Sequence, residues 1–212
     1  MVNPSTIKSF FNLLNSNGVN YVLIKNDGEL IPYSVEDGSD IDILVNPSDY
    51  EKYRVLLRSN GYTEEHGEHD KYFFVYNLRP DIYAKKDDCY FHAYDRFSCV
   101  SFTNMGKSRV PLSKCIQDRI WKEKRWDESN QWWIMDDITI LLFLIIRSIL
   151  DKREFRIKYR NEIEKRITLI DSDEFIKICR MVFFNFTPVL IKSIKDKHYD
   201  KIIKEYQSFS DY

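Results

Sequence analysis

The 212-residue sequence has little of several features that identify particular classes of protein. It has four cysteines, none in a Cys-x-x-Cys pair, and their spacing matches no zinc or haem signature, so reduced structural thiols are expected. Its longest apolar run, residues 140–146, ends at Arg147 and is far shorter than the ~20 residues of a transmembrane helix. The first residues lack the basic-then-apolar pattern of a signal peptide, so we expect a cytoplasmic protein without a membrane span.

An excess of positive charge is also absent. The net charge of −1 gives no support for general nucleic-acid binding. The charge is nevertheless uneven, because residues 1–100 hold 10 Lys and Arg against 16 Asp and Glu, whereas residues 101–212 hold 22 against 17. This division suits an acidic metal site that faces basic helices, and it equally fits ordinary variation of surface charge along a chain.

The periodicity of hydrophobic residues divides the chain in two. Residues 1–110 predict an α+β domain with a mixed sheet, and residues 111–212 predict a helical region that packs on it. Helices are expected over residues 4–17, around residues 47–60, and over residues 112–124, 136–151, 158–169, 173–184 and 187–209. Strands are expected over residues 21–25, 40–45, 71–77, 79–84 and 90–93, with residues 126–133 as a connector.

Two aspartates stand out in the second predicted strand. Asp40 and Asp42 are two residues apart, so their side chains leave one face of the strand with Cα atoms about 6–7 Å apart. The aliphatic residues between and after them leave the other face. Two like charges repel, and the strand itself offers no cation, so a divalent metal ion such as Mg²⁺ or Mn²⁺ would resolve the conflict. The alternative is an edge strand with a solvated acidic face.

The segment Gly-Ser-Asp-Ile-Asp-Ile-Leu-Val, residues 38–45, resembles the metal-binding strand of the DNA polymerase β-like nucleotidyltransferase superfamily. Residues 21–45 are similar to a subgroup of bacterial nucleotidyltransferase-like proteins, some of which are encoded with surface-polysaccharide biosynthesis genes. The resemblance implies a nucleotidyltransferase-like mixed sheet with flanking helices, followed by a C-terminal helical region. It also implies transfer of a nucleoside monophosphate from a nucleoside triphosphate to an acceptor hydroxyl or phosphate. The acceptor is unidentified, and a sugar or glycan is the candidate.

The superfamily has a third carboxylate on a neighbouring strand. The resemblance assigns this place to Asp81, in the segment Arg-Pro-Asp-Ile-Tyr-Ala, residues 79–84. Asp81 would then be the general base toward the acceptor or a shared metal ligand beside Asp40 and Asp42. The alternative is a turn aspartate that follows Pro80.

The superfamily holds the triphosphate with paired small residues ahead of the aspartates. Here that place contains Gly28 between two acidic residues, which would repel a phosphate. Lys25 could supply positive charge there, or it could simply close a strand at the surface. Ser39, in the turn before the aspartates, together with Arg147 and Lys152 from the helical region, completes the expected nucleotide-binding set; Arg147 is expected either to pair in the core or to point into the cleft.

Three further interpretations stay open. His66 and His69 could bind zinc if Cys89 or His92 came near, but nothing in the sequence fixes that geometry, and a solvated loop is the favoured interpretation. A related enzyme that moves a phospho-alcohol from a nucleotide-activated donor to a glycan would use the same carboxylates. A catalytically degenerate domain that binds a nucleotide or a protein would explain the altered glycine motif.

Overall fold

The computed structural model describes residues 2–24, 31–36, 38–65, 73–100 and 108–211. The first part of the chain forms mainly strands, and the part after residue 136 is helical. The strands are β1 (Tyr21–Leu23), β2 (Asp40–Val45), β3 (Thr63–Glu65), β4 (Ile82–Lys86), β5 (Cys89–Tyr94), β6 (Ser98–Val100), β7 (Arg109–Pro111), β8 (Arg125–Asp127) and β9 (Trp132–Ile134). The helices are α1 (Pro4–Ser16), α2 (Tyr50–Ser59), α3 (Lys114–Glu123), α4 (Asp137–Ile146), α5 (Ile157–Lys165), α6 (Asp173–Phe183), α7 (Thr187–Lys195) and α8 (Tyr199–Ser208).

Seven of the strands form one mixed sheet in the order β3-β4-β5-β2-β1-β9-β8. β2 lies near its centre, antiparallel to β1 and parallel to β5. β6 and β7 form a separate antiparallel pair. The α+β class with a mixed sheet, expected from the order of the elements, is therefore confirmed.

The two faces of the sheet have separate hydrophobic cores, because side chains alternate along each strand. On β2, Ile41, Ile43 and Val45 enter the core shared with α1 and α2. Leu44 enters the opposite core, which the C-terminal helices build. The face of β2 that carries Leu44 is also the face of Asp40 and Asp42, so the aspartates lie on the side of the sheet that the helical region covers.

α4 is buried almost all the way round and is apolar on every side. A helix with this character needs partners on all faces, and α4 lies against the sheet while also packing on α5 and α6. It continues into a π-helical stretch over Arg147–Lys152. Among the helices of the described residues, none has both the length and the apolar character needed to cross a bilayer.

Three local predictions are wrong. The expected connector over residues 126–133 is a β-hairpin of β8 and β9, and β9 joins the main sheet by pairing with β1. The single helix expected over residues 187–209 is two helices, because Lys197 adopts a left-handed backbone with φ 57° between them. In the described part of the strand expected over residues 71–77, Phe74 forms one isolated bridge to Arg109, and Tyr76 and Asn77 have positive φ. The division of the chain at residue 111 stays a prediction.

Candidate active site

A glycine turn delivers the two aspartates to the sheet. Gly38 has φ 79°, a conformation that favours glycine, and the Ser39 amide donates to the Glu36 carbonyl oxygen at 3.1 Å. β2 then begins at Asp40. The Asp40 side chain is half exposed, at 51%, whereas that of Asp42 is 4% exposed. The pair therefore combines one carboxylate open to solvent with one buried between the sheet and the helices.

A histidine meets both aspartates from the neighbouring strand. His92 lies opposite Asp42 in the parallel pairing of β2 with β5, so both side chains leave the same face. Its Nδ1 atom is 3.4 Å from Oδ1 of Asp42 and 3.6 Å from Oδ2 of Asp40. Burial lowers the pKa of His92, but its hydrogen bonds to carboxylates, including Asp40 and Asp42, outweigh burial and raise it to about 10. The same contact with His92 lowers the pKa of Asp40.

Tyr94 ties this group together. Its hydroxyl donates to Oδ1 of Asp42 at 3.0 Å and lies 2.9 Å from Nδ1 of His92. Because the hydroxyl proton goes to Asp42, the tyrosine oxygen accepts from the imidazole. Burial and the charge of Asp42 raise the pKa of Tyr94 well above its usual value, so the hydroxyl stays protonated.

Asp81 reaches the site from the far side of His92. It precedes β4, which is separated from β2 by β5, so it does not lie on a strand next to the aspartate pair. The carboxylate is 5% exposed, and its Oδ2 atom is 3.1 Å from Nε2 of His92. The same oxygen is 3.5 Å from Nη2 of Arg109. The imidazole ring therefore lies between Asp81 on one side and Asp40 and Asp42 on the other, and it contacts all three carboxylates.

Asp40, Asp42 and His92 form a group that could hold a metal ion. One ligand atom from each of them lies within 4.8 Å of the others. Two carboxylate oxygens and one imidazole nitrogen suit a divalent cation, so the chemistry of the donors fits a metal. His92 takes the place that the family resemblance assigns to Asp81. The metal-binding and catalytic roles of Asp40, Asp42 and Asp81 stay predictions.

Arginine side chains surround the buried end of this group. Arg147 lines a small pocket together with Asp42, Tyr94, Arg96 and Arg109. Its Nε atom donates to the Tyr159 hydroxyl at 3.3 Å, and its Nη1 atom lies 3.9 Å from Oδ2 of Asp151. Burial lowers the pKa of Arg147, but the neighbouring charges, that of Asp42 foremost, raise the pKa by more than burial lowers it. The net pKa lies above the ordinary value for arginine, so the guanidinium stays charged. Arg147 is therefore both paired in the interior and part of the pocket that Asp42 lines.

The other residues expected to bind nucleotide are less well placed or lie outside the described residues. Lys152 is exposed at the end of the π-helical stretch and does not line the small pocket. Ser39 is half-buried directly before Asp40. Lys25 lies outside the described residues.

The zinc interpretation stays a prediction. His66 and His69 lie outside the described residues. Cys89 enters the core beneath α1 and α2, on the opposite face of β5 from His92.

A larger cleft adjoins the metal group. It has a volume of about 570 Å³, and it shares Ile24 and Phe143 with the small pocket at Asp42. The cleft lies between the C-terminal end of strand β1, the β8–β9 hairpin and the helices α4 and α5. Its wall is apolar toward the sheet and α4, and its rim carries the ion-paired side chains of Arg125, Glu162 and Arg166. The rim also carries Asp127, which accepts hydrogen bonds from Ser129 and Asn130.

Three residues of the site were missed by sequence analysis. The sequence pattern predicts a role for His92 only as a zinc ligand, and it predicts none for Tyr94 or Arg109. A signal for His92 was present, since it alternates with Phe91 and Ala93 in the strand predicted over residues 90–93, as Asp40 and Asp42 alternate with aliphatic residues in theirs. Tyr94 lies on the same face as His92, one residue beyond the predicted strand. Arg109 had no such signal, because its strand β7 was not predicted.

The fold is similar to that of a nucleotidyltransferase, the antibiotic-resistance factor ANT(2'')-Ia. Its solution structure, described as showing substrate-regulated conformation dynamics, matches with a TM-score of 0.50 and 9% sequence identity over 93% of this chain and 97% of that chain. The crystal structure of ANT(2'')-Ia in complex with adenylyl-2''-tobramycin matches with a TM-score of 0.48 and 7% identity over 92% and 98%. No protein-family model and none of the curated proteins matches the sequence. At this identity, the likeness shows the nucleotidyltransferase fold alone.

Proposed function

We propose that this protein is a metal-dependent nucleotidyltransferase that moves a nucleoside monophosphate from a nucleoside triphosphate to an acceptor hydroxyl or phosphate, releasing pyrophosphate. One observation carries the proposal. Asp40, Asp42 and His92 each place one possible ligand atom within 4.8 Å of the others, at the centre of the sheet of a nucleotidyltransferase-like fold. Neighbouring carboxylates repel each other, and such pairs are typical of metal-dependent sites for phosphoryl and nucleotidyl transfer.

The metal group and the arginines divide the work of binding the triphosphate. Asp40, Asp42 and His92 would hold the cation, which neutralises charge on the phosphate oxygens when bound. Arg96, Arg109 and Arg147 line the same pocket as Asp42 and would donate hydrogen bonds to the β- and γ-phosphates. A single guanidinium group can donate two parallel hydrogen bonds to the oxygens of one phosphate. These arginines take the place of the paired small residues that are missing before the aspartates.

The larger cleft would accommodate the organic part of the substrates. Its volume of about 570 Å³ lies within the usual range for small-molecule sites. The apolar wall at Ile24 and Phe143 reaches the metal group, so a nucleoside or a sugar in the cleft would have its reacting end near Asp42. We propose a sugar or glycan acceptor, with surface-polysaccharide biosynthesis as the pathway.

A second candidate rests on the charge of His92. The imidazole contacts all three carboxylates and already offsets their repulsion without a metal. A domain that has lost catalysis and binds a nucleotide or a protein partner would be stable in this form. Transfer of a phospho-alcohol to a glycan would use the same carboxylates, and only the identity of the product separates it from nucleotidyl transfer.

A thermal-shift screen tests the proposal. Each of the four nucleoside triphosphates is added with Mg²⁺, with Mn²⁺ or with EDTA, and the best pair is then assayed for pyrophosphate release with a panel of sugar acceptors. We expect a shift that needs both nucleotide and metal and that Asp42→Asn abolishes. Asp95→Asn serves as the control, because Asp95 is equally buried but outside the metal group. Metal-independent nucleotide binding without pyrophosphate release would support the second candidate instead.

A further inference from the structure

The imidazole of His92 is held on every side. Asp81 contacts its Nε2 atom at 3.1 Å, and the Tyr83 ring stacks on it at 3.8 Å with an interplanar angle of 21°. Tyr94 packs against the ring, with a centroid distance of 4.1 Å. Arg109 fixes Asp81 in turn. These contacts fix the ring so that Nδ1 faces Asp40, Asp42 and the Tyr94 hydroxyl. Binding of a metal at Nδ1 would replace the proton that this nitrogen donates to Tyr94.

This arrangement has the form of a metal ligand with its outer partner. A histidine that binds a metal through one nitrogen usually donates its other N–H to a carboxylate, which fixes the ring and raises its basicity. Asp81 is such a carboxylate for His92, and both side chains are 5% exposed. Asp81 lies on the far side of the ring from the two aspartates, so it supports the metal group through His92.

A nitrogen donor changes which metal the site prefers. Mg²⁺ takes hard oxygen ligands, whereas imidazole suits first-row transition metals, and Mn²⁺ accepts both oxygen and nitrogen. A site of three carboxylates offers only oxygen donors, so it lacks the nitrogen donor that favours a transition metal over Mg²⁺. Replacing one of the three with His92 therefore alters the relative affinity for Mn²⁺ and Mg²⁺.

We propose that His92 binds the metal through Nδ1, that Asp81 is its positioning residue, and that this oxygen–nitrogen set selects a divalent transition metal over Mg²⁺. The inference deepens the proposed function and rests on its metal site. It assigns to Asp81 an orienting role in place of the general-base role expected from the sequence, because a base at this position would have to leave both His92 and Arg109.

The test measures metal binding without nucleotide. Mn²⁺ and Mg²⁺ are titrated calorimetrically into the metal-free protein, and bound Mn²⁺ is examined by pulsed electron paramagnetic resonance after labelling histidine with ¹⁵N. The variants are His92→Asp, which restores three carboxylates, and Asp81→Asn. The controls are His198→Gln, at an exposed histidine before α8, and Asp95→Asn. Circular dichroism verifies the folding of each variant.

We expect a histidine ¹⁵N coupling to Mn²⁺ in the wild type, absent in His92→Asp and retained in His198→Gln. His92→Asp should reduce the ratio of Mn²⁺ to Mg²⁺ affinity at least about tenfold, and Asp81→Asn should weaken Mn²⁺ about 10- to 100-fold, the range for loss of an outer-shell partner. Tight binding of both ions without nitrogen coupling, or with a ratio unchanged in His92→Asp, overturns the inference and leaves the proposed function standing. Failure of the wild type to bind either ion overturns both.

Discussion

Asp42 and His92 lie opposite each other on parallel neighbouring strands, and their side chains meet at 3.4 Å. The imidazole supplies the positive charge that β2 itself lacks. The repulsion between Asp40 and Asp42, which the sequence left without a local counter-charge, is thus offset across the sheet, even before a metal binds. This relationship determines what a substitution at Asp42 should do.

Replacing Asp42 with Asn should weaken divalent-metal binding while the protein still folds. In EDTA, the same variant should be less stable by about 1–3 kcal/mol, the range for hydrogen bonds to charged groups, because Tyr94 and His92 lose a charged partner. Urea denaturation and metal titration of Asp42→Asn and of the control Asp95→Asn check both statements. Greater stability of Asp42→Asn in EDTA would mean that repulsion between the aspartates dominates, contrary to the role given to His92.

The part of the site on β2 could be predicted from the sequence because it depends on local pattern alone. Alternation over residues 40–45 places both aspartates on one face, and the glycine turn before them follows from residue type. Likewise the apolar run of α4 predicts a buried helix, since its character is independent of its partners.

The rest of the site depends on strand order, which local pattern does not contain. His92 reaches Asp42 only because β5, and not β4, lies beside β2. For the same reason Asp81, which precedes β4, is one strand away from the position next to Asp40 and Asp42 that the resemblance assigns to it. The β8–β9 hairpin was missed because each strand has three residues, too few to show a period, and β9 is specified by its pairing with β1.

Replacing Arg147 with Ala should reduce affinity for a metal–nucleoside triphosphate complex by about 1–3 kcal/mol, the scale of a charged hydrogen bond. The melting temperature should fall as well, because Tyr159 and Asp151 lose their partner. Lys152→Ala is the matched control and should change neither quantity, since Lys152 is exposed and outside the pocket. Calorimetric titration and thermal denaturation measure the two effects. An unchanged nucleotide affinity in Arg147→Ala would place the phosphates elsewhere.

The stability of the metal-free protein should depend on pH through His92. Its pKa is raised to about 10 in the folded state, against an ordinary value of about 6.5. The charged imidazole of His92 therefore stabilises the folded state fully below about pH 6.5, and this contribution to the unfolding free energy is lost as the pH rises toward 10. In EDTA, the difference in unfolding free energy between wild type and His92→Gln should shrink over this interval. A difference that stays constant or grows with pH would show that His92 is not charged in the fold.

The core beneath the aspartates should be sensitive to Phe10. Its ring is fully buried and stacks on Phe91 of β5 at 3.6 Å, so it supports the strand that carries His92. Phe10→Ala should lower the unfolding free energy by about 3–5 kcal/mol, the range for a large aromatic cavity. Val55→Ala, at an exposed position on α2, should change it by less than about 0.5 kcal/mol. Equal effects of the two substitutions in urea denaturation would contradict the packing of α1 on this face.

The most direct measurement is equilibrium binding of nucleoside triphosphates to wild type and Asp42→Asn, with Mn²⁺ and with EDTA. Asp42, which belongs to the metal group, lines the same small pocket as Arg109 and Arg147, so nucleotide and metal should bind together. We predict binding by the wild type only when Mn²⁺ is present, and a loss of at least about tenfold in Asp42→Asn, a change of 1.4 kcal/mol or more. Binding that persists in EDTA with the same affinity in both proteins would contradict the account.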